Sequence, residues 1–178
     1  MGEAPDEQLM LAYRGGDSGA FDTLYKRHRL RLFRFVLRSI RSRAAAEELY
    51  QEIWMRVIEA RGSYVPKARF TTWLYTIAHN RMVDHWRRGG LTLVSLEEAE
   101  VPASTPDPAR HAEAREALAR FAAALEGLPP AQREAFLLHE EAGLTIAEIA
   151  AATGSNEEAA KSRLRYAIAK LKAAVDDG

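Results

Sequence analysis

Apolar residues recur along this chain at three- and four-residue intervals, and each run is cut by glycine, proline or a short side chain able to cap a helix. The first run, Asp6 to Arg14, sets Leu9, Met10 and Tyr13 on one side and ends at Gly15-Gly16. Asp17 or Ser18 is the expected cap of a second helix from about Ala20 to Arg41, in which Phe21, Leu24, Tyr25, Leu32, Phe33, Val36, Leu37 and Ile40 keep the 3.6-residue period. A third helix, about Ala44 to Arg61, turns Leu49, Ile53, Val57 and Ile58 inward and closes at Gly62. A fourth, Phe70 to Arg88 with Thr71 as its expected cap, turns Trp73, Leu74, Ile77 and Ala78 inward. That leaves Thr72, Tyr75, Thr76, His79 and Asn80 on the other side.

Leu91 to Pro108 sustains no period, mixes acidic residues with Pro102, Pro106 and Pro108, and reads as a flexible linker. Beyond it an alanine-rich helix, Ala109 to Glu126, places Leu118, Phe121, Ala122 and Leu125 inward. Pro129-Pro130 stops that helix and starts another, about Ala131 to Glu141. Two helices joined by a tight turn follow. Thr145 and Glu148 have capping-box spacing, Gly154 stands where a left-handed residue ends a helix, and Ser155 and Glu158 repeat the capping-box spacing before a final helix to about Ala174. The pattern predicts an all-α protein of two small helical domains, residues 1–90 and 109–178, joined by the flexible linker 91–108. The C-terminal domain is expected to be a helix-turn-helix.

Composition sharpens the division. Net charge is zero overall, yet residues 23–90 carry fifteen basic and five acidic groups, whereas the other segments are each net acidic. A basic module of that size suits a polyanion. Much of the charge lies on the second helix, at Lys26, Arg27, Arg29, Arg31, Arg34 and Arg38, while Glu47, Glu48, Gln51, Glu52, Met55 and Glu59 form an acidic ridge on the third. There is no cysteine, which excludes disulfides and thiolate metal sites. The N-terminus lacks a basic start and an apolar run, and nowhere do 18 apolar residues follow one another, so a cytoplasmic protein without membrane insertion is expected.

The fourth helix and the connector before it interleave aromatic, hydroxyl, amide and basic side chains. Unstacked bases need aromatic platforms and hydrogen-bonding groups while their phosphates need cations, so this mixture suits opened nucleic acid. Aromatics at helical spacing also suit a plain core, and at this point both readings stand.

Both halves resemble the extracytoplasmic-function group of bacterial RNA polymerase sigma factors. Ala46-Glu47-Glu48-Leu49-Tyr50-Gln51-Glu52 is similar to the family's A-E-D-L-x-Q-E segment, with Glu48 where aspartate is usual. Phe70-Thr71-Thr72-Trp73-Leu74, Ile77-Ala78-His79-Asn80, and Asp84 with Arg87-Arg88 resemble its F-x-x-W-L, I-A-x-N and D-x-x-R-R pattern. Lys161-Ser162-Arg163-Leu164 is similar to the K-S-R-L core of its upstream reading helix, although Glu157-Glu158-Ala159-Ala160 replaces the commoner small-Gly-Thr-Val run. The resemblance implies a subunit that directs promoter-specific initiation and is not an enzyme, with no cofactor, metal ligand or catalytic residue. Its implied partners are core polymerase, bound through Glu47, Glu48, Leu49, Gln51, Glu52 and Met55, promoter DNA, and an anti-sigma factor. Melted −10 DNA would meet Tyr64, Lys67, Arg69, Phe70, Thr72, Tyr75, Thr76, His79, Asn80, Arg87 and Arg88. Duplex −35 DNA would meet Asn156, Glu158, Lys161, Ser162, Arg163 and Arg165.

Two other classes compete. A stand-alone helix-turn-helix repressor accounts for the C-terminal half and leaves the basic helix and acidic ridge without a task. A nucleic-acid enzyme would need His79, Asp84 and His85 as ligands or acid-base groups, yet His79 and Asp84 differ by about 140° around a helix. His28, His111 and His139 are expected to be surface or core residues. Glu158 has two readings: support of the helix dipole, or a hydrogen bond from cytosine N4 in the major groove.

Overall fold

The computed structural model describes residues 2–88 and 108–177, and among these every regular element is helical. The expected linker, 91–108, lies outside the described residues apart from Pro108, the first residue of a helix.

In the N-terminal module α1 (Asp6–Arg14) starts with Asp6 and Glu7 and ends on Arg14, signs that suit a helix dipole. Asp17 caps α2 (Ser18–Ser39), its carboxylate accepting from the Gly19 and Ala20 N–H groups at 2.9 and 3.3 Å. Leu24, His28, Leu32, Phe35, Val36 and Ser39 are buried along it at three- and four-residue spacing. Ser42 caps α3 (Arg43–Ala60), and a 3-10 turn, Arg61–Ser63, leads through a loop to α4 (Phe70–Arg87). These helices pack in sequence, α1 on α2, α2 on α3 and α3 on α4. Aromatic edges fill the seam of α1, α2 and α3: Tyr13 lies 4.9 Å from Phe21, and Tyr25 5.0 Å from Trp54, centroid to centroid.

The C-terminal module contains α5 (Pro108–Gly127), α6 (Pro130–Glu140), α7 (Ile146–Thr153) and α8 (Glu157–Asp176). Pro130 sits in the first turn of α6, where its missing N–H costs nothing. The Thr145–Glu148 capping box forms in both directions, at 3.2 and 2.8 Å, and Gly154 ends α7 with φ +66°. So α7, its turn and α8 make the expected helix-turn-helix, held from behind by α5 and α6.

Three local expectations are corrected. The cap of α8 is Asn156, whose side chain accepts from the Ala159 N–H at 2.8 Å; Ser155 instead meets the Thr153 hydroxyl at 3.0 Å. Either residue has a capping oxygen, and the helix simply starts one residue later. Thr71 does not cap α4, which begins at Phe70 with no capping side chain at Arg69. Leu118 is 53% exposed; α5 packs against the rest of the module in its later turns, through Leu125 and the half-buried Phe121 and Ala124.

A buried guanidinium substitutes for a conventional helix ending between α5 and α6. Arg133, 8% exposed, donates to the carbonyl oxygens of Leu125, Glu126 and Leu128 at 3.0, 2.8 and 3.0 Å. Pro129 and Pro130 have no N–H to offer these terminal carbonyls; the Leu128 N–H reaches the Leu125 carbonyl at 3.3 Å, and the arginine adds a donor to all three. Burial lowers its pKa from the ordinary arginine value, and the three acceptors keep the cation tolerable. Arg133→Met is expected to destabilise the C-terminal module by about 2–3 kcal/mol, the scale of charged hydrogen bonds lost from buried acceptors. Urea unfolding followed by circular dichroism measures the loss, and hydrogen exchange should locate it at the end of α5.

Candidate nucleic-acid interface

The acidic ridge is a solvent-facing surface over a packed support. Glu47, Glu48, Gln51, Glu52 and Met55 are exposed on α3, while Leu49, 5% exposed, anchors the ridge with Ile53 and Val57 behind it. Glu47 pairs with Arg43 at 3.2 Å, an exposed contact worth little to stability and easily exchanged for another partner. On α2, Lys26, Arg29, Arg31, Arg34 and Arg38 are exposed as expected. Arg27 is not part of that field, because it turns to Glu3 and Asp6. His28 is buried with Nε2 2.8 Å from Asp6.

Between α3 and α4 the loop 64–69 presents Val65, Pro66, Lys67, Ala68 and Arg69 to solvent. Its aromatic, Tyr64, faces inward, 1% exposed and 5.0 Å edge-on from the Trp73 ring. Burial, followed by the charges of Glu7 and Asp6, raises its phenol pKa.

The expected facing of α4 is corrected. Phe70, Thr72 and Tyr75 are buried along with Leu74 and Ala78, whereas Trp73 and Ile77, assigned to the core, are half-buried. Tyr75 lies 5.2 Å from Phe35 in an edge-to-face contact, and burial pushes its phenol well above the ordinary range. The physical reason is that α4 has neighbours on more than one side: α3 packs on it, and so does α7 of the C-terminal module. A helix so enclosed buries more than one stripe. Thr76 and His79 are half-buried, and Asn80, Arg87 and Arg88 exposed; Asn80 lines a shallow hollow of about 170 Å³ with Arg56, Ala60, Ile77 and Arg81.

Acidic groups of the C-terminal module hold the enclosing contact. Glu134 on α6 is 5% exposed and its Oε1 lies 2.5 Å from His79 Nδ1. Glu148 pairs with Arg69 at 3.5 Å, Glu141 pairs with Arg38, and Arg41 donates to the Glu126 carbonyl at 3.1 Å. Thus Arg69 and His79, which the sequence assigns to DNA, are engaged by carboxylates. Glu134 and Arg41 carry no sequence signal for this role, since neither lies near its partner in the chain.

On α8 the first turn exposes Glu157 and Glu158, followed by exposed Lys161 and Arg165 and half-buried Ser162 and Arg163. The Asn156 side chain is occupied as the helix cap. Tyr166 was missed: it is 54% exposed, with the Arg165 guanidinium 5.5 Å from its ring centre. Its place one residue before the buried Ala167, off the stripe of Ala160, Leu164, Ala167 and Leu171, could have revealed it.

His79 meets Glu134, Asp84 pairs with Arg81 at 2.7 Å, and the described residues contain no group of three or more potential metal-ligating histidines or acids. No helix among the described residues is long and apolar enough to cross a membrane.

Comparison with known proteins places the chain in a family. Residues 24–92 match the family Sigma-70 region 2, and residues 118–171 match Sigma-70, region 4. The chain is 37% identical to the RNA polymerase sigma factor CarQ of Myxococcus xanthus, over 92% of this chain and 93% of the relative. It is 31% identical to the ECF RNA polymerase sigma factor SigM of Mycobacterium tuberculosis, over 95% and 84%. Among solved structures it is similar to CnrH in complex with the cytosolic domain of CnrY, with TM-score 0.71, 26% identity and 97% of both chains covered. The fold is also similar to that of sigma factor RpoE from Bartonella quintana, crystallised with the anti-sigma factor NepR. That match has TM-score 0.73 and 22% identity, and covers 88% of this chain and 96% of that one.

The carboxylate contacts make the distance between modules a measurable quantity. With no native cysteine, spin labels can be placed at the exposed positions Leu30 and Lys170. Combining Glu134→Gln with Glu148→Gln is expected to raise the population with long label separations about tenfold, the effect of losing a charged hydrogen bond at a buried site. An unchanged distance distribution would show that other contacts hold the modules together.

Proposed function

The chain belongs to the sigma-70 family of RNA polymerase sigma factors, in its extracytoplasmic-function group, and on that premise we propose how its surfaces divide the work of promoter-specific initiation. The exposed ridge Glu47, Glu48, Gln51, Glu52 and Met55 docks on core polymerase, with Leu49 as its buried support. The first turns of α8, with Lys161, Ser162, Arg163, Arg165 and the added Tyr166, enter the major groove of a duplex −35 element. Loop 64–69 and α4 hold separated non-template bases of the −10 element, and Arg87 and Arg88 hold phosphate. The observation that carries this reading is the juxtaposition, in one module, of a solvent-facing acidic ridge and a cationic loop and helix, with a second DNA-reading helix in the other module.

Melting costs about 1.4 kcal/mol per base-pair step, and stacking a captured base on an aromatic returns about 1–3 kcal/mol. Tyr64, Phe70 and Tyr75 are buried against Trp73, His28 and Phe35 of their own module, while Arg69 and His79 are paired with Glu148 and Glu134 of the C-terminal one. Freeing Arg69 and His79 for nucleic acid therefore requires the C-terminal module to leave α4. Geometry gives the same requirement: elements about 25 base pairs apart are separated by roughly 85 Å of duplex. Allowing a module radius of about 15 Å at each end leaves about 55 Å for residues 91–108, which span at most about 60 Å when extended, so polymerase would hold the modules well apart. The complexes of the similar structures with CnrY and NepR support an anti-sigma factor as a further partner, one that would favour the state unable to reach promoter DNA.

The test is run-off transcription by core polymerase on a genomic fragment library. The protein is expected to direct initiation at a defined set of start sites sharing two spaced elements. Glu48→Lys combined with Glu52→Lys should weaken core binding by tenfold or more, because opposite charge at an exposed docking surface is repelled by its partner. Absence of both core binding and specific initiation would overturn the proposal.

A further inference from the structure

The loop and helix assigned to the melted element are held from outside by α1, whose residues lie before the segment matched to Sigma-70 region 2. The first turn of α4 has no acidic residue and no capping side chain at Arg69. Its leading N–H is nevertheless satisfied: the Phe70 amide donates to Glu7 Oε1 at 2.7 Å, across 63 residues of sequence. A carboxylate there also complements the positive end of the helix dipole.

The other end of the same loop is gripped by the other end of α1. Arg14 Nη1 donates to the Tyr64 carbonyl at 3.0 Å, and Arg61 returns a bond to the Tyr13 hydroxyl at 3.2 Å with its guanidinium 5.3 Å from that ring. Glu7 and Arg14 are two helical turns apart on one side of α1, about 10 Å along the axis. They therefore seize the chain at Phe70 and at Tyr64, and the exposed residues 65–69 are the part left between. α1 is itself pinned by Asp6, which meets Arg27 at 3.0 Å and His28 at 2.8 Å, and the His28 ring lies 5.2 Å from Phe70.

We propose that Glu7 and Arg14 are positioning residues for promoter opening: α1 is a brace that fixes loop 64–69 and the start of α4 in the geometry that captures an extruded base. This rests on the function proposed above. A loop held at both ends loses little conformational freedom when it closes on a base, whereas an unbraced loop must be ordered by the base itself. Glu7 and Arg14 need not touch DNA for this; they act through Phe70 and Tyr64.

The experiment uses the full chain with core polymerase. For Glu7→Ala, Arg14→Ala and the conservative Glu7→Gln, three quantities are measured: core affinity, binding to a duplex upstream element, and the ratio of open-complex formation on a preferred −10 sequence to that on one with its extruded base substituted. Glu7→Ala and Arg14→Ala are each expected to lower that ratio about fivefold, the scale of a lost helix cap. Core affinity and upstream binding should stay within twofold, and Glu7→Gln, which still accepts a hydrogen bond, should recover part of the loss. An unchanged ratio, or a fall in all three quantities together, would overturn the brace, the latter marking a purely structural role. If Glu7→Ala fails to fold, Glu7→Gln and Arg14→Ala decide the same question. Failure of the underlying function is distinguishable, because unsubstituted protein would then show no dependence on the −10 sequence at all.

Discussion

The polar groups at α4 are held by carboxylates, and in the function proposed above they must exchange these for nucleic acid. Glu134 is almost wholly removed from water, a state a carboxylate tolerates only with a hydrogen-bonding or cationic partner, and His79 supplies it. Around that pair, Glu148 and Glu141 neutralise Arg69 and Arg38. The C-terminal module thus offers the N-terminal one a set of anions where the proposed promoter contacts would offer phosphates. Each exchange replaces one charged partner by another, so the free energy between closed and engaged states is a difference of similar terms. Contacts elsewhere, on polymerase and on the upstream element, can then tip it.

What the sequence made legible was decided within one helix or one turn. The Thr145–Glu148 box, the left-handed Gly154 and Asp17 before α2 involve neighbours, so residue order carries them directly. The acidic ridge was equally plain, because Glu47, Glu48, Gln51 and Glu52 lie opposite Leu49 and Ile53 on a helix with one buried side. Facing failed on α4, where Tyr75 and Thr72 proved buried, because the helix is enclosed from several sides, by Phe35 of α2 as well as by α3 and α7, and such enclosure leaves no mark on local periodicity. The cap of α4 was invisible for the same reason: Glu7 reaches it from the far end of the module. Leu118 erred in the opposite direction, an apolar residue at core spacing that stays half exposed on α5.

The two proposed DNA-facing elements differ in how ready they are. α8 presents Lys161 and Arg165 from a helix capped by Asn156 and backed by Ala160, Leu164 and Ala167, small and apolar residues that let it sit tightly on its supports. A duplex groove has a known shape, and a rigid helix can meet it without rearrangement. On the proposed −10 surface, by contrast, Arg69 and His79 are held by carboxylates of the other module. On the function proposed above, binding of the upstream element can therefore precede release of these two groups.

The contacts of α1 also bear on how the module comes to be folded. Its bonds to the loop and to α4 span 48, 50 and 63 residues, so none can form until nearly the whole module exists. Long loops close slowly and pay their entropy before any contact rewards it. During synthesis α1, α2 and α3 can pair while the Glu7 and Arg14 side chains wait for partners not yet made. The loop proposed to capture a base is then the last part of the module to be ordered, and a chain that stalls before residue 70 holds α1, α2 and α3 with the grips of Glu7 and Arg14 on that loop unformed.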